Sequence, residues 1–455
     1  MRTRTHRRFS VVDLGHVAAA LMLLGCGGGG GLGGGELPDA QTSPDGIIDT
    51  GKPDLPPSST QPVFDPVSDD FYALPFPSNT YLNAVGSLEL WNFPNPANVG
   101  VLDYVLGIAE DELDGFSVEQ VVYFPFDGGL DTSGLPATWI PADKDMAVQI
   151  VDVTDGPDYG DRLPLIWEYR ADEGMYIAGD TLMVRPLLGY TLKEGHTYAA
   201  FVTSDLRGAD GGSVEAAPYF QDALAGTLEG DDGLVQSLVP LKTLLDQSPD
   251  LASRVVTGTV FTVGNPSSEL VRIREYLTNE AAPPELVEGS VNHALVEGVV
   301  ETSFSIYEGQ YTAPNFLKGT PPYDEEGGFE FDESGAPVVQ FEEKMTFALS
   351  VPRNQEMPAN GWPIVIYSHG TGGDYHSFIK NPGINLNHEG LAVIGINQPL
   401  HGDRVNPPLD KSVLELYSFN FLNIEAGRTV QRQSVPDNIS LMRMIEAGNL
   451  VIPKD

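Results

Sequence analysis

Cations are scarce in this chain: 25 Lys and Arg stand against 64 Asp and Glu, a formal net charge of −39 over 455 residues. Phosphate backbones and anionic headgroups are bound by positive stripes that displace counterions, so nucleic acid is excluded as an expected partner. Cysteine is nearly absent, and the single Cys26 cannot close an internal disulfide. Long apolar runs are missing too. Val17–Leu24 (VAAALMLL) falls far short of the roughly 20 residues a membrane-spanning helix needs. The G-x-S-x-G signature of a serine nucleophile on a strand-to-helix turn occurs nowhere. His388-Glu389 opens like a metalloprotease helix, but Ala392 stands where the second His is needed, so zinc is unsupported. Gly46–Lys52 has phosphate-loop spacing, yet Pro53 replaces the metal-binding Ser or Thr and no strand precedes it. No cofactor is expected.

What the chain does have is apolar residues at 41%, enough for a core, and glycine and proline at 50 and 36 residues, above the usual share but below low complexity. At about 150 residues per domain the length predicts two or three domains.

The charge is uneven. Arg2, Arg4, Arg7 and Arg8 face only Asp13 before Cys26, so residues 1–25 read as a cationic, then apolar, targeting segment. Its end, Leu23-Leu24-Gly25-Cys26, resembles the bacterial lipobox, which implies a lipid on Cys26, a membrane partner through that lipid and a place in the cell envelope, at the outer membrane or cell surface. Gly27–Gln61 holds no aromatic residue and is rich in Gly, Pro, Ser, Thr and Asp. Residues 26–61 are expected to be a flexible tether with a reach of about 30 Å.

From residue 62 to 215 short apolar alternations recur between turn signals, at 118–124, 146–153, 163–169, 181–184 and 197–202. Regular short strands of this kind predict an antiparallel sandwich. Leu182–Gly212 carries a Leu-x-x-Gly-x-x-Tyr corner and an Asp-Gly turn and resembles the late strands of bacterial immunoglobulin-like domains. His196 falls in that corner, where a partner in the turn is favoured over a metal; Asp205 and Asp210 are the candidate calcium oxygens, although Asp-Gly turns are common without one. In 216–295, read as a helical connecting region, Leu234, Leu238, Leu241 and Leu244-Leu245 share one helical face, Val255–Val263 reads as a buried strand, and 269–277 as a second helix.

Chemistry is expected between Met345 and Leu400. Apolar strands are predicted at 345–351, 363–367 and 391–397, with the glycine-rich Ser368-His369-Gly370-Thr371-Gly372-Gly373 after the second and a helix containing 376–379 before the third. Two apolar strands joined by a helix imply a parallel pair, and a glycine-rich bend at its carboxyl end is where open α/β sheets place ligands. This stretch, with the Gln398–Arg404 loop after the third strand, resembles the α/β-hydrolase family, and with the lipobox the chain looks like lipase- or esterase-like bacterial surface lipoproteins. The expected fold class is multidomain α/β plus β: an immunoglobulin-like β-sandwich region, then the first part of an α/β-hydrolase sheet in 296–455.

The resemblance implies an oxyanion hole. Backbone N–H groups held about 3 Å from a developing negative oxygen lower the barrier to acyl transfer, and the family comparison places a donor in the Gly370–Gly373 turn, at Thr371 or Gly372. His369 then supports the turn, because the family's base comes later. Ser368 sits on the wrong strand to be the nucleophile, with Ile366 where a small residue is needed. Ser434-Val435-Pro436-Asp437 reads as the cap of a helix that in the family leads to the nucleophile strand, so nucleophile, acid and base are expected beyond Asp455. The expected function is a membrane-anchored extracytoplasmic ester hydrolase acting on an ester of unknown identity, inactive as this stretch alone. The alternative is a non-catalytic surface lipoprotein that binds an extracellular polymer or protein.

Overall fold

The computed structural model describes residues 57–300 and 303–452; the expected targeting segment, Cys26 and the tether up to residue 56 lie outside the described residues. The chain divides into two compact units between Gly264 and Asn265, each mixing helices and sheets.

The first unit holds helix α1 (Gly100–Glu112) and eight strands: β1 (Val122–Pro125), β2 (Leu130–Asp131), β3 (Val148–Asp152), β4 (Leu165–Arg170), β5 (Thr181–Pro186), β6 (Thr197–Thr203), β7 (Arg207–Gly208) and β8 (Val255–Thr262). The order β1-β5-β4 forms one antiparallel sheet and β3-β6-β8 another, while β2 pairs with β7. Phe124, Leu165, Leu182 and Val184 of the first sheet share a core with Ile150, Tyr198, Ala200, Val202 and Phe261 of the second.

Period-2 geometry turns the alternate β6 residues Ala199 and Phe201 the other way. There they meet Phe220, Leu234, Leu241 and Leu245. These come from α2 (Pro218–Ala225), α3 (Asp232–Ser237) and α4 (Val239–Asp246), followed by α5 (Pro249–Ala252). The expected single helix through Leu234–Leu245 is thus two. Pro240, which has no N–H to donate, falls in the first turn of the second. A bulge lets β8 serve both layers: Val202 pairs with Thr257 and Thr203 with Val255, so Val256 is the extra residue and joins the sheet-to-sheet core while Val255 faces the helices.

Residues 58–60, at the end of the expected tether, are tied to the first unit. Ser58 and Thr60 are buried; Ser58 Oγ donates to Asp210 Oδ1 at 2.7 Å and the Ser59 N–H to Asp210 Oδ2 at 2.8 Å. Asp210 is thereby occupied, Asp205 accepts from Arg254 at 2.5 Å, and His196 Nδ1 lies 2.7 Å from the buried Asp152. No group of three or more metal-capable side chains occurs among the described residues, and no helix there is long and apolar enough to cross a membrane.

The second unit begins with α6 (Ser268–Asn279), so the expected connector at 216–295 is shared: α2 to α5 and β8 pack in the first unit, α6 in the second. Its strands are β9 (Asn292–His293), β10 (Phe304–Asn315), β11 (Phe341–Pro352), β12 (Ile364–Tyr367) and β13 (Ala392–Ile396), in the order β12-β13-β11-β10-β9. The pair β12 and β13 is parallel, with Ile364 opposite Ala392, as the sequence predicts; β11 runs antiparallel to both β13 and β10.

Helices cover both faces of this sheet, α7 (Ile384–His388) on one and α10 (Ser434–Glu446) on the other, with α8 (Lys411–Phe419) and α9 (Ile424–Thr429) between them in sequence. Ile364 and Ile366 pack with Ile394, Leu441 and Met444, whereas Val365 and Tyr367 pack with Phe378, Val393 and Ile384. The expected helix at 376–379 starts later, because Asp374 first closes a turn by accepting from the His376 N–H and Ser377 Oγ. Pro382 then interrupts the winding before α7.

Candidate functional site

Two loops leave the carboxyl ends of the parallel pair, residues 368–374 after β12 and 397–405 after β13. Neighbouring parallel strands deliver their exits side by side, and the carboxyl ends of such strands are where α/β sheets hold ligands. Each loop carries a His-Gly dipeptide, His369-Gly370 and His401-Gly402.

The two histidines tie the loops together reciprocally. His369 Nε2 accepts from the Gln398 N–H at 3.0 Å, and His401 Nε2 accepts from the Gly372 N–H at 3.0 Å. Since each Nε2 is an acceptor, the proton of each neutral ring sits on Nδ1. It is donated to a carbonyl, Gly370 O for His369 and Pro399 O for His401, both at 2.9 Å. The rings stand edge to face with centroids 4.8 Å apart. Burial holds both imidazoles below their ordinary pKa, only partly offset by those carbonyls. With both nitrogens of each ring engaged, neither histidine is free to take a proton from a nucleophile. His369 is thereby tied to backbone on both loops. His401 was not singled out by sequence reasoning; the repeated His-Gly after each strand of the pair was the available signal.

This lacing also sorts the donors of the turn. Gly372 gives its N–H to His401, and Gly373 gives its N–H to Gly370 O at 3.0 Å. Of the four expected positions, the exposed residues Gly370 and Thr371 have N–H groups with no hydrogen bond among the described residues. Gly372 has a different requirement: its φ is +80° and a Cβ there would lie 3.1 Å from Lys411 Cε, a conformation and an approach suited to glycine. Thr371 thus remains an available donor from the expected pair, and Gly372 shapes the turn.

The loop after β13 is fixed from below. Asn397 Oδ1 accepts from the Tyr375 N–H at 3.0 Å, its Nδ2 donates to Asp403 at 2.8 Å, and Asp403 also accepts from Thr346 at 2.5 Å. Arg404 makes a two-point contact with Glu343 on β11, at 2.9 and 2.6 Å, and donates to Asp437 on α10 at 2.6 Å. Burial opposes the Arg404 charge, but Asp437 and Glu343 outweigh it and hold the guanidinium above its ordinary range. With two carboxylates for one cation, burial lifts Asp437 above the usual carboxylate range against the pull of Arg404. The Ser434 cap with Asp437 three residues on, which the sequence predicts, is consequently not formed: Ser434 lies inside the helix with its Oγ donating to Gln431 O. The chain is already turning through α9 and Gln433, so α10 has no open end to cap, and the acid points into the core.

Ser368 is exposed, and its Oγ lies 3.5 Å from Asn438 Oδ1, with no imidazole bonded to it. The His388 ring lies 3.5 Å from Ser303 Oγ, and its carbonyl accepts from Gln355 Nε2 at 3.3 Å. No assembled serine triad occurs among the described residues, and Cys26 lies outside them.

No protein-family model matches the chain, and no curated protein matches it. Among solved structures, an acetyl xylan esterase from Paenibacillus sp. R4 is similar over 30% of this chain and 32% of that one, at 16% identity and a TM-score of 0.17. The N-terminal part of the bacterial S-layer protein SbsC is similar over 57% of this chain and 46% of that one, at 11% identity and a TM-score of 0.16. The chain spans less than half the length of either, and the functional reading rests on the geometry of the two loops.

Proposed function

We propose that the protein is an ester hydrolase of lipase or esterase type, in which the second unit supplies the half of the site that binds the oxyanion. The observation that carries this reading is the turn after β12: the exposed residues Gly370 and Thr371, whose N–H groups have no hydrogen bond among the described residues, at the carboxyl edge of a parallel pair, on a backbone laced by His369 and His401. Donors fixed before the substrate arrives need no reorganisation as charge develops on a carbonyl oxygen. On this reading β10 to β13 are the opening strands of an α/β-hydrolase sheet, the two-sheet core of the first unit is an immunoglobulin-like sandwich, and a lipid on Cys26 holds the protein at the cell envelope. A serine nucleophile, its acid and its base complete the chemistry, and none of these roles falls to a residue described above.

The test is turnover of 4-nitrophenyl acetate by protein expressed from the whole reading frame that contains this sequence. Thr371→Pro removes one N–H donor and should lower kcat by about 100-fold or more with the circular dichroism unchanged. Turnover unaffected by that change, in a folded variant, would overturn the reading.

A further inference from the structure

Several donors of the two loops are unengaged among the described residues. The Gly370 and Thr371 N–H groups have no hydrogen bond among the described residues. The Gln398 side chain is buried, 7% exposed, and its Nε2 has no hydrogen-bond partner among the described residues; a buried donor left alone is costly, so its isolation points to a missing acceptor. The acids of these loops are already occupied: Asp374 closes its own turn, and Asp403 holds Asn397 and Thr346.

Onto this donor-rich mouth projects Lys411, the first residue of α8. Its side chain lies across Gly372, with Nζ 3.6 Å from where a Cβ at that glycine would sit. It forms no ion pair among the described residues, not even with Asp410 next to it in sequence. In a chain with 64 acids and 25 Lys and Arg, an ammonium with no ion pair among the described residues is rare, and beside unengaged N–H groups it can meet an anion at short range.

We propose that Lys411 selects the substrate: the ester taken by this site carries an anionic group, a carboxylate or a phosphate, which the Lys411 ammonium holds while the ester carbonyl faces the Gly370–Thr371 turn. The inference rests on the ester reading above, but it concerns which ester binds and not how the bond is cleaved.

Binding can be followed on the chain as it stands, by the amide resonances of Gly370 and Thr371 at low salt. The probes are dimethyl succinate, which is neutral, monomethyl succinate, which keeps one carboxylate, and inorganic phosphate. Monomethyl succinate should bind about threefold tighter than dimethyl succinate, in keeping with one exposed charge pair. Lys411→Gln should erase that preference, Lys411→Arg should keep it, and 0.5 M salt should weaken it. If phosphate displaces monomethyl succinate, the anion subsite takes either group; if it does not, the subsite is a carboxylate site, and both results support the proposal. Equal binding of the two esters, or a preference that survives Lys411→Gln, overturns the selection by Lys411 and leaves the ester reading standing. Failure of every probe to move the two amides overturns both.

Discussion

The first unit fixes its corner histidine with a side chain, and the second fixes its two loop histidines with backbone. His196 lies at the start of β6 and meets the carboxylate of Asp152 on the neighbouring strand β3. His369 and His401 instead accept from main-chain N–H groups and donate to main-chain carbonyls. A carboxylate partner can be exchanged for another acceptor without moving the chain. A backbone partner fixes where the loop itself runs, so the second arrangement determines which N–H groups of the turn are spent and which stay open.

The largest break in that comparison should come from beneath the loops. Arg404→Met leaves Glu343 and Asp437 facing each other in the interior without their cation, and removing one member of a buried ionic cluster costs about 3–5 kcal/mol. Urea unfolding would measure it. A loss below about 1 kcal/mol would show that the cluster is not what anchors the loop after β13.

The histidines come next, and they should not be equal. His369→Leu strands the N–H of Gln398, a buried residue, whereas His401→Leu strands that of Gly372, which is exposed and can turn to water. The first should cost about 1–3 kcal/mol and the second clearly less. Amide exchange gives an independent reading, with Gly372 losing protection only in the His401 variant. Equal costs would mean that packing of the two rings matters more than the bonds they accept.

The smallest effect is the pH dependence. Imidazoles in the unfolded chain titrate near about 6.5, and His369 and His401 are held lower in the folded protein. The unfolded state therefore binds protons first as pH falls. The stability these two rings confer is fully present above the unfolded value and drains away as pH drops through it toward their lowered values. Melting temperatures at pH 7.5 and 5.5 should differ more for the wild type than for a His369→Gln, His401→Gln double variant. An identical pH response in both would remove the histidines from the account.

Much of this fold was legible because the strands are short, apolar and clearly bounded. The parallel pair at 363–367 and 391–397 and the turn between them follow from two β-branched runs separated by glycines and a short helix. The rest was hidden for physical reasons. Whether Thr371 or Gly372 offers its N–H depends on a histidine 29 residues away, and local pattern carries no information about pairing across that distance. Ser434 looked like a cap with Asp437 as its acid partner because Ser-x-x-Asp marks many helix starts, yet that acid is drawn inward by Arg404, whose burial no composition or spacing reveals. The break at Pro240 was readable in principle, but the leucine face ran through it unbroken.

The lacing of the two loops has a hereditary side. Each histidine answers a donor on the other loop, so a change at His369 is felt at Gln398 and a change at His401 is felt at Gly372. Two stretches 29 residues apart thus behave as one unit of inheritance. A lineage that alters one His-Gly is expected to drift at the other as well, or to redirect the turn and with it the direction from which any ligand is met.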